Sequence, residues 1–398
     1  MQRKSIATET HSLSLSFWRQ FPRLLAVFAL LGTTFASVSP ATDAAPAVTR
    51  AQVKADRPIV IFDTDMGPDI DDAMALGMIH SYADAGVWKI GAVVLSRQSS
   101  TGNGVKYIDA VNTYYGRPNI PIGNYKGGHP EDDLGQYDYM VTDTPLAAMY
   151  PHNVRPETVR HGHKVIREVL ENADDQQVII ITTGFTSNLS GLLKSPGGKD
   201  LIRRKVKTLS LAGGEYTGFN GQIDIEYNLN HWTIHQPTVA HSFNVLRNWP
   251  GRIVQSEYSL GYKVLLPSTA VAALPENHIL RQTYFLKGAD AFFWHEPDGN
   301  GSFNMRSWDM IAVLAAAGNA GYRLPAITKR GNRGTITPVA STTGGVKTVF
   351  TPDPGGQHLR TGLAGADYGL TSDGPGNAVT EKIEEKLIQV LSRPVKNR

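Results

Sequence analysis

The chain has 398 residues, 41% of them hydrophobic and 19% charged, with 39 Lys+Arg against 36 Asp+Glu and no cysteine. At roughly 100–200 residues per domain, the length allows two or three domains or one large α/β unit with an appendage, and the composition excludes a disordered chain. Without cysteine, disulfide scaffolds, Cys-ligated zinc, iron–sulfur clusters and thiol nucleophiles are excluded, which leaves carboxylates, hydroxyls, amides, imidazoles or a hard metal for any chemistry.

Arg3, Lys4, Arg19 and Arg23 precede the apolar run Leu24–Leu31, which fades through Gly32-Thr33-Thr34-Phe35-Ala36 into a Ser/Pro/Ala stretch. This is the layout of a secretory signal. The run is too short to cross a hydrocarbon core of about 30 Å, which needs roughly 20 apolar residues. Residues 1–45 are therefore expected to be a signal peptide and linker, cut after Ala36, Ala41 or Ala45. The mature protein is expected to be secreted or periplasmic, with no membrane attachment. Removing that segment takes away four basic and two acidic residues, leaving 35 Lys+Arg and 34 Asp+Glu, a net of +1. No Lys/Arg run of the kind that tracks phosphates remains, so a nucleic-acid polymer is not an expected partner.

From residue 58 strands and helices alternate. Pro58–Phe62 reads as a buried parallel strand, followed by an acidic turn and a helix ending near Gly86. Residues 88–95, 119–123, 178–181, 206–211 and 252–255 read as further strands. Helices are expected at 104–115, 157–171 and 233–243, and a long loop over 124–156. This alternation predicts an α/β fold, a mostly parallel open sheet with helices on both faces. Residues 331–378 are rich in Gly, Thr, Pro and Asp, with short alternating segments at 335–340 and 346–350, before an amphipathic helix at 379–391. The expected organisation is a main domain over 46–325 and a small β-rich appendage with the final helix, 326–398, packed on it.

The turn Asp63-Thr64-Asp65-Met66-Gly67-Pro68-Asp69-Ile70-Asp71-Asp72 places five carboxylates in ten residues. It lies at the carboxyl end of a strand, where open α/β sheets bind ligands. Such carboxylates repel one another unless a cation or donors neutralise them, and oxygen-only ligands suit Ca²⁺ or Mg²⁺. A calcium-binding helix–loop–helix is excluded, because its twelfth loop position would be Met74 and a strand precedes it. A haloacid-dehalogenase-type phosphatase also opens on strand–Asp-x-Asp and would use Asp63 as nucleophile with Mg²⁺, although that family usually carries Thr or Val where Gly67 stands. The turn most resembles the amino-terminal signature of the inosine/uridine-preferring nucleoside hydrolase family, Asp-x-Asp-x-Gly followed by Asp-Asp-Ala. Further blocks are similar to that family in order along the chain. They are Thr183-Gly184-Phe185-Thr186-Ser187-Asn188-Leu189, Leu211-Ala212-Gly213-Gly214, Asn220 with Glu226-Tyr227-Asn228, and Trp308-Asp309 before Ala312 and Ala315.

The resemblance implies a nucleoside-hydrolase-like fold and Ca²⁺-dependent hydrolysis of the N-glycosidic bond of ribonucleosides, with a small-molecule nucleoside as the partner. It leaves open whether the protein is a monomer or a homo-oligomer. By the resemblance, Asp65, Asp72, the carbonyl of Thr183 and Asp309 would hold Ca²⁺, and Asp65 would also be the general base. Asp71, Asn220, Glu226 and Asn228 would grip ribose hydroxyls. Trp308 stands where pyrimidine-cleaving members carry a histidine. An indole only donates a hydrogen bond, but its flat face suits stacking on a base, so purines are the expected substrates. Two departures bear on individual roles. Extra residues separate Gly67 from Asp71-Asp72, so Asp69 competes with Asp65 or Asp71 for a role. The family's asparagine after the second strand has no clean equivalent in Leu95-Ser96-Arg97-Gln98, where Gln98, Asn103 or neither substitutes, and Arg97 admits an acidic or phosphorylated substrate. Tyr284–Trp294 reads equally as a lid or a packed helix, while His129, His152, His241 and His295 read as structural or surface residues. A non-catalytic nucleoside- or sugar-binding relative is the remaining alternative.

Overall fold

The structure is a computed structural model, and it describes residues 57–67, 69–98, 101–128, 140–142, 144–214, 226–286, 295–319, 333–361 and 378–396. The expected signal segment, His129, Asn220 and the 287–294 part of the aromatic stretch lie outside the described residues. Thirteen strands are present among the described residues: β1 (Ile59–Thr64), β2 (Lys89–Leu95), β3 (Ile122–Asn124), β4 (Arg160–His161), β5 (Val178–Thr182), β6 (Val206–Ala212), β7 (Ile253–Ser256), β8 (Leu265–Leu266), β9 (Glu296–Pro297), β10 (Phe303–Arg306), β11 (Arg333–Ala340), β12 (Val346–Pro352) and β13 (His358–Thr361). Ten of them form one sheet in the order β12-β11-β13-β7-β6-β5-β1-β2-β3-β4. Every pairing from β13 to β4 is parallel. β11 runs antiparallel to both β12 and β13.

The side-chain period of two sorts β1 between two cores. Val60 and Phe62 join the core formed with the helices Asp71–Asp84, Trp308–Asn319 and Ala378–Leu391. Ile61 points to the other face, onto the helices Gly162–Asn172, Ser187–Lys194 and Gln236–Asn248. Residues Met310–Ala317 are all buried, as expected of a helix that is apolar all round. It is tied to β6 by Ser210 Oγ donating to the Ala312 carbonyl at 2.8 Å. The architecture is the expected α/β class, a mostly parallel sheet covered on both faces, with short antiparallel strands and a helix at the carboxyl end.

The differences from the sequence reading have local causes. The helix expected from 157 begins at Gly162, because Pro156–Thr158 forms a 3-10 turn and β4 pairs with β3. The β8-β10-β9 sheet and β13 were not expected, since strands of two to four residues are too short to show a period. β13 joins the carboxyl-terminal strands edge-on to β7, and Ser81 Oγ donates to the Val390 carbonyl at 2.6 Å, fastening the last helix to the first. Among the described residues, no helix is long and apolar enough to cross a membrane.

The chain leaves β1 toward β2, β3 and β4, then returns to place β5 on the other side of β1. The carboxyl ends of β1 and β5 therefore flank a topological switch point, the crevice in which doubly wound sheets bind ligands.

Candidate active site

The turn after β1 is shaped by its backbone. Met66 has φ 48° and Gly67 φ 127°, a left-handed excursion that a long side chain tolerates only when its surroundings hold it. Met66 is fully buried, and its amide donates to Thr64 Oγ1 at 3.0 Å. The Gly67 amide donates to Asp72 Oδ2 at 2.9 Å, and the Thr64 hydroxyl donates to Asp72 Oδ1. Asp72 thus closes the turn from the first residues of the following helix. Across the crevice, the turn after β5 approaches so closely that a Cβ on Gly184 would lie 2.4 Å from the Asp65 amide and 2.5 Å from Ser96 Oγ. That contact is the physical reason for glycine after Thr183.

Around this turn lies a cleft of about 670 Å³, counting its open mouth. Asp65, Asp71, Asp72, Thr183, Glu226, Asn228, Trp308 and Asp309 all line it, so the structure brings together every described residue to which the resemblance gave a metal or substrate role. Asp69 lines it as well. Gln98 and Asn103 do not: Gln98 Oε1 accepts the Gly128 amide at 3.0 Å, and Asn103 Oδ1 accepts from Lys106 at 3.2 Å. Of the aromatic stretch near the end, Tyr284 is buried and stacked on Phe303 with ring centroids 4.7 Å apart.

Asp65, Asp71, Asp72 and Asp309 are 2–3% exposed. Burial holds each carboxyl above its ordinary range. For Asp65 the neighbouring Asp72 and Asp69 add to burial, while buried Arg97 opposes it. Asp71 raises Asp309 further, and the Asp309 carboxyl lies within hydrogen-bonding reach of Asp72. Asp65 Oδ2 and Asp309 Oδ2 are buried and accept no hydrogen bond from the described residues. Oxygens of Asp69, Asp71 and Asp72 come within 4.8 Å of one another, a group that could hold a metal ion. Carboxylates packed this closely, beside the unpartnered oxygens of Asp65 and Asp309, fit a hard divalent cation, and the all-oxygen donor set suits Ca²⁺ or Mg²⁺ rather than a softer metal.

The other groups are positioned by caps and carbonyls. Asp71 Oδ2 accepts the Asp309 amide at 3.1 Å, joining the starts of two helices. Glu226 caps the Tyr227–Asn230 turn, accepting the amides of Asn228 at 3.0 Å and Leu229 at 2.9 Å. Asn228 Nδ2 donates to the carbonyls of Thr183 at 3.0 Å and Ala212 at 3.2 Å, which leaves its Oδ1 for a ligand. Trp308 Nε1 donates to the Tyr258 carbonyl at 3.0 Å, and its ring stacks on Tyr258 with centroids 5.4 Å apart. Gly261 makes room for it, since a Cβ there would sit 2.4 Å from the indole.

Asp63 is the exception in the acidic turn. It points to the opposite face of β1, where Oδ1 accepts from Asn188 at 2.9 Å and burial pushes its carboxyl up to about 8. It does not line the cleft, so the geometry denies it the role of a phosphatase nucleophile toward a ligand bound there. The lining residues that the sequence reading missed are Ser256, Glu257 and Tyr258, with Tyr227 and the 55% exposed Trp232. Position just after a predicted parallel strand was the available signal for the first three. Glu257 is held by Arg360 of β13, so the carboxyl-terminal strands support one wall of the cleft.

This fold is that of the nucleoside hydrolases. The chain is similar, at 14% identity and a TM-score of 0.59, to a purine-preferring ribonucleoside hydrolase from Gardnerella vaginalis, over 84% of this chain and 98% of that one. It is similar at 14% identity and a TM-score of 0.58 to a plant nucleoside hydrolase, over 85% and 99% of the two chains. The type III effector protein XopQ, complexed with adenosine diphosphate ribose, superposes with a TM-score of 0.57 at 14% identity, over 86% and 96%. No protein-family model matches the sequence, and no curated protein matches it.

Proposed function

We propose that the protein is a secreted or periplasmic, Ca²⁺-dependent ribonucleoside hydrolase that cleaves the N-glycosidic bond to give free base and ribose, with purine nucleosides preferred. The observation that carries this reading is the convergence of Asp65, Asp71, Asp72, Thr183, Glu226, Asn228 and Asp309 on one cleft at the switch point of the sheet. Cleavage needs a nucleophilic water, support for positive charge developing on the sugar, and a way for the base to leave.

Asp65, Asp72, Asp309 and the Thr183 carbonyl would hold the cation, with Asp69 and Asp71 beside them. A bound divalent ion there supplies an acidified water and a grip on vicinal hydroxyls. Asp65, with an unpaired Oδ2, takes the proton of the attacking water. Asn228 Oδ1 and the Glu226 carboxylate accept sugar hydroxyls; both are fixed by backbone bonds before the ligand arrives. Asp71 and Asn220 share that task. The pinned, half-buried indole of Trp308 offers its face to the base, and a purine covers more of it than a pyrimidine.

A nucleoside panel read by release of base and reducing sugar, with and without chelator, tests this. Inosine, guanosine and adenosine are expected to outpace uridine and cytidine. Release of phosphate from a phosphate ester instead, or nucleoside binding without turnover in the Ca²⁺-loaded protein, would overturn it.

A further inference from the structure

The cleft is lined by seven carboxylates, Asp65, Asp69, Asp71, Asp72, Glu226, Glu257 and Asp309, and by no lysine, arginine or histidine among the described residues. Arg360 offsets Glu257, buried Arg97 acts on Asp65, and one divalent ion would offset two more charges, so of the seven carboxylates a surplus of negative charge remains in a half-enclosed space. Low-dielectric walls focus such a field and raise the local concentration of cations. Its remaining surface is aromatic. Tyr258 and Trp308 stack on each other, and Tyr227 and Trp232 pack with centroids 4.7 Å apart. Aromatic faces attract cations as well as flat rings.

The same residues offer little acid for a departing base. The only donor of Trp308 is spent on the Tyr258 carbonyl. Burial pushes the Tyr258 phenol up to about 12. His295 lies beside Trp308, with centroids 6.0 Å apart, but does not line the cleft. Its Nδ1 accepts the Arg306 amide, and burial pushes it down to about 4, so it carries no proton to give near neutrality.

We propose that the cleft prefers N-ribosides whose leaving group already carries positive charge, namely N7-alkylated purine nucleosides and N-ribosyl pyridinium compounds, over their neutral counterparts. This rests on the nucleoside hydrolase reading and narrows its substrate class. The reaction needs no external acid. The water oxygen bonds to C1′ as the C1′–N bond breaks, and the bonding pair passes to the ring nitrogen and cancels its charge. The water proton leaves through Asp65 to solvent, so the products are ribose, neutral base and one proton. A cationic substrate thus meets both features of the cleft, its surplus of negative charge and the lack of an acid for the base among the described aromatic and imidazole groups.

The test compares guanosine with 7-methylguanosine, at mildly acid pH where the methylated base is cationic, together with nicotinamide riboside, in the Ca²⁺-loaded full chain. The kcat/KM of the cationic ribosides should exceed that of guanosine by about tenfold or more, roughly the effect of 1.4 kcal/mol in the transition state. An enzyme that protonates N7 gives the reverse order, because methylation removes the lone pair it needs. Guanosine cleaved as fast as 7-methylguanosine, or faster, overturns the charge preference and leaves nucleoside hydrolysis standing. Cleavage of none of the three removes the hydrolase reading itself. Trp232→Ala, at an exposed site on the cleft wall, should raise KM for both ribosides, several-fold for nicotinamide riboside and by less for guanosine. An equal rise for both would show that the aromatic wall does not sense charge.

Discussion

Stripping the bound cation should reverse the slope of stability against pH. The carboxyls of Asp65, Asp71, Asp72 and Asp309 are buried together, and in the metal-free protein burial first, then mutual repulsion, lifts each above its unfolded value. A folded state with raised carboxyls retains protons that the unfolded chain has released, so stability falls as pH climbs above about 4 toward the folded values. Each proton so retained costs about 1.4 kcal/mol per pH unit. Ca²⁺ bound there would replace those protons; at a hundred times its Kd it would add about 2.7 kcal/mol, or on the order of 5 °C in Tm. The assay is thermal unfolding from pH 5 to 8 in excess Ca²⁺ and after exhaustive chelation. The gap between the two profiles should widen with pH, and activity should vanish and return with the metal. His80 contributes equally to both profiles and cancels in the difference. Parallel profiles, or full activity in protein shown to be metal-free by elemental analysis, would refute the reasoning.

Asp65→Asn should remove most turnover, since an amide cannot take the water's proton; near-wild-type turnover in Asp65→Asn together with loss in Asp69→Asn would move the base to Asp69. Gly184→Ala should cost about 1–3 kcal/mol in urea unfolding and lower kcat as well, because the new methyl must displace the Asp65 backbone. Trp308→Ala should lower kcat/KM for purine nucleosides roughly 5- to 150-fold, the equivalent of about 1–3 kcal/mol of stacking, with far less change in Ca²⁺ affinity. In wild type, uridine equal to or better than inosine contradicts the stacking argument. His80 lies between Asn112 and Arg117 and on the face of Tyr115, and burial pushes its imidazole down to about 3. Its contribution is complete above about 6.5 and is lost as pH falls toward 3, at up to about 1.4 kcal/mol per pH unit, so His80→Gln should flatten that acid limb in Ca²⁺-loaded protein.

Val178–Thr182 was legible because it is a run of Val and Ile buried on both faces, a case where composition alone identifies the element. Val206–Ala212 was legible from Val206, Leu209 and Leu211 set among polar residues, within the alternation of strands and helices. What was not legible is pairing that depends on partners far along the chain. β13 is four residues, His358–Thr361, of which only Leu359 is apolar, and it is a strand only because β7 and β11 flank it. The same holds for Arg160–His161, which pairs with β3 after a turn that the helical periodicity of 162–172 concealed.

The site divides along the same line. Asp65, Asp71 and Asp72 lie within one turn, so their clustering could be read directly, and Thr183, Glu226, Asn228 and Asp309 were reached through spaced blocks. Side-chain direction was not readable. Asp63 stands two residues before Asp65 but is still within β1, on the face of Ile61 and against Asn188, whereas Asp65 lies past the strand end and lines the cleft. Glu257 and Tyr258 follow the weakest of the predicted central strands and carry no motif. They reach the cleft because β7 ends in register with β6, Ala212 opposite Ser256, so both strands deliver their carboxyl ends to one wall. The positions that resemblance supplies are those fixed by sugar and cation chemistry. Trp232, Glu257 and Tyr258 line the same cleft from outside those blocks, so that wall became readable only from the way the strands deliver their carboxyl ends.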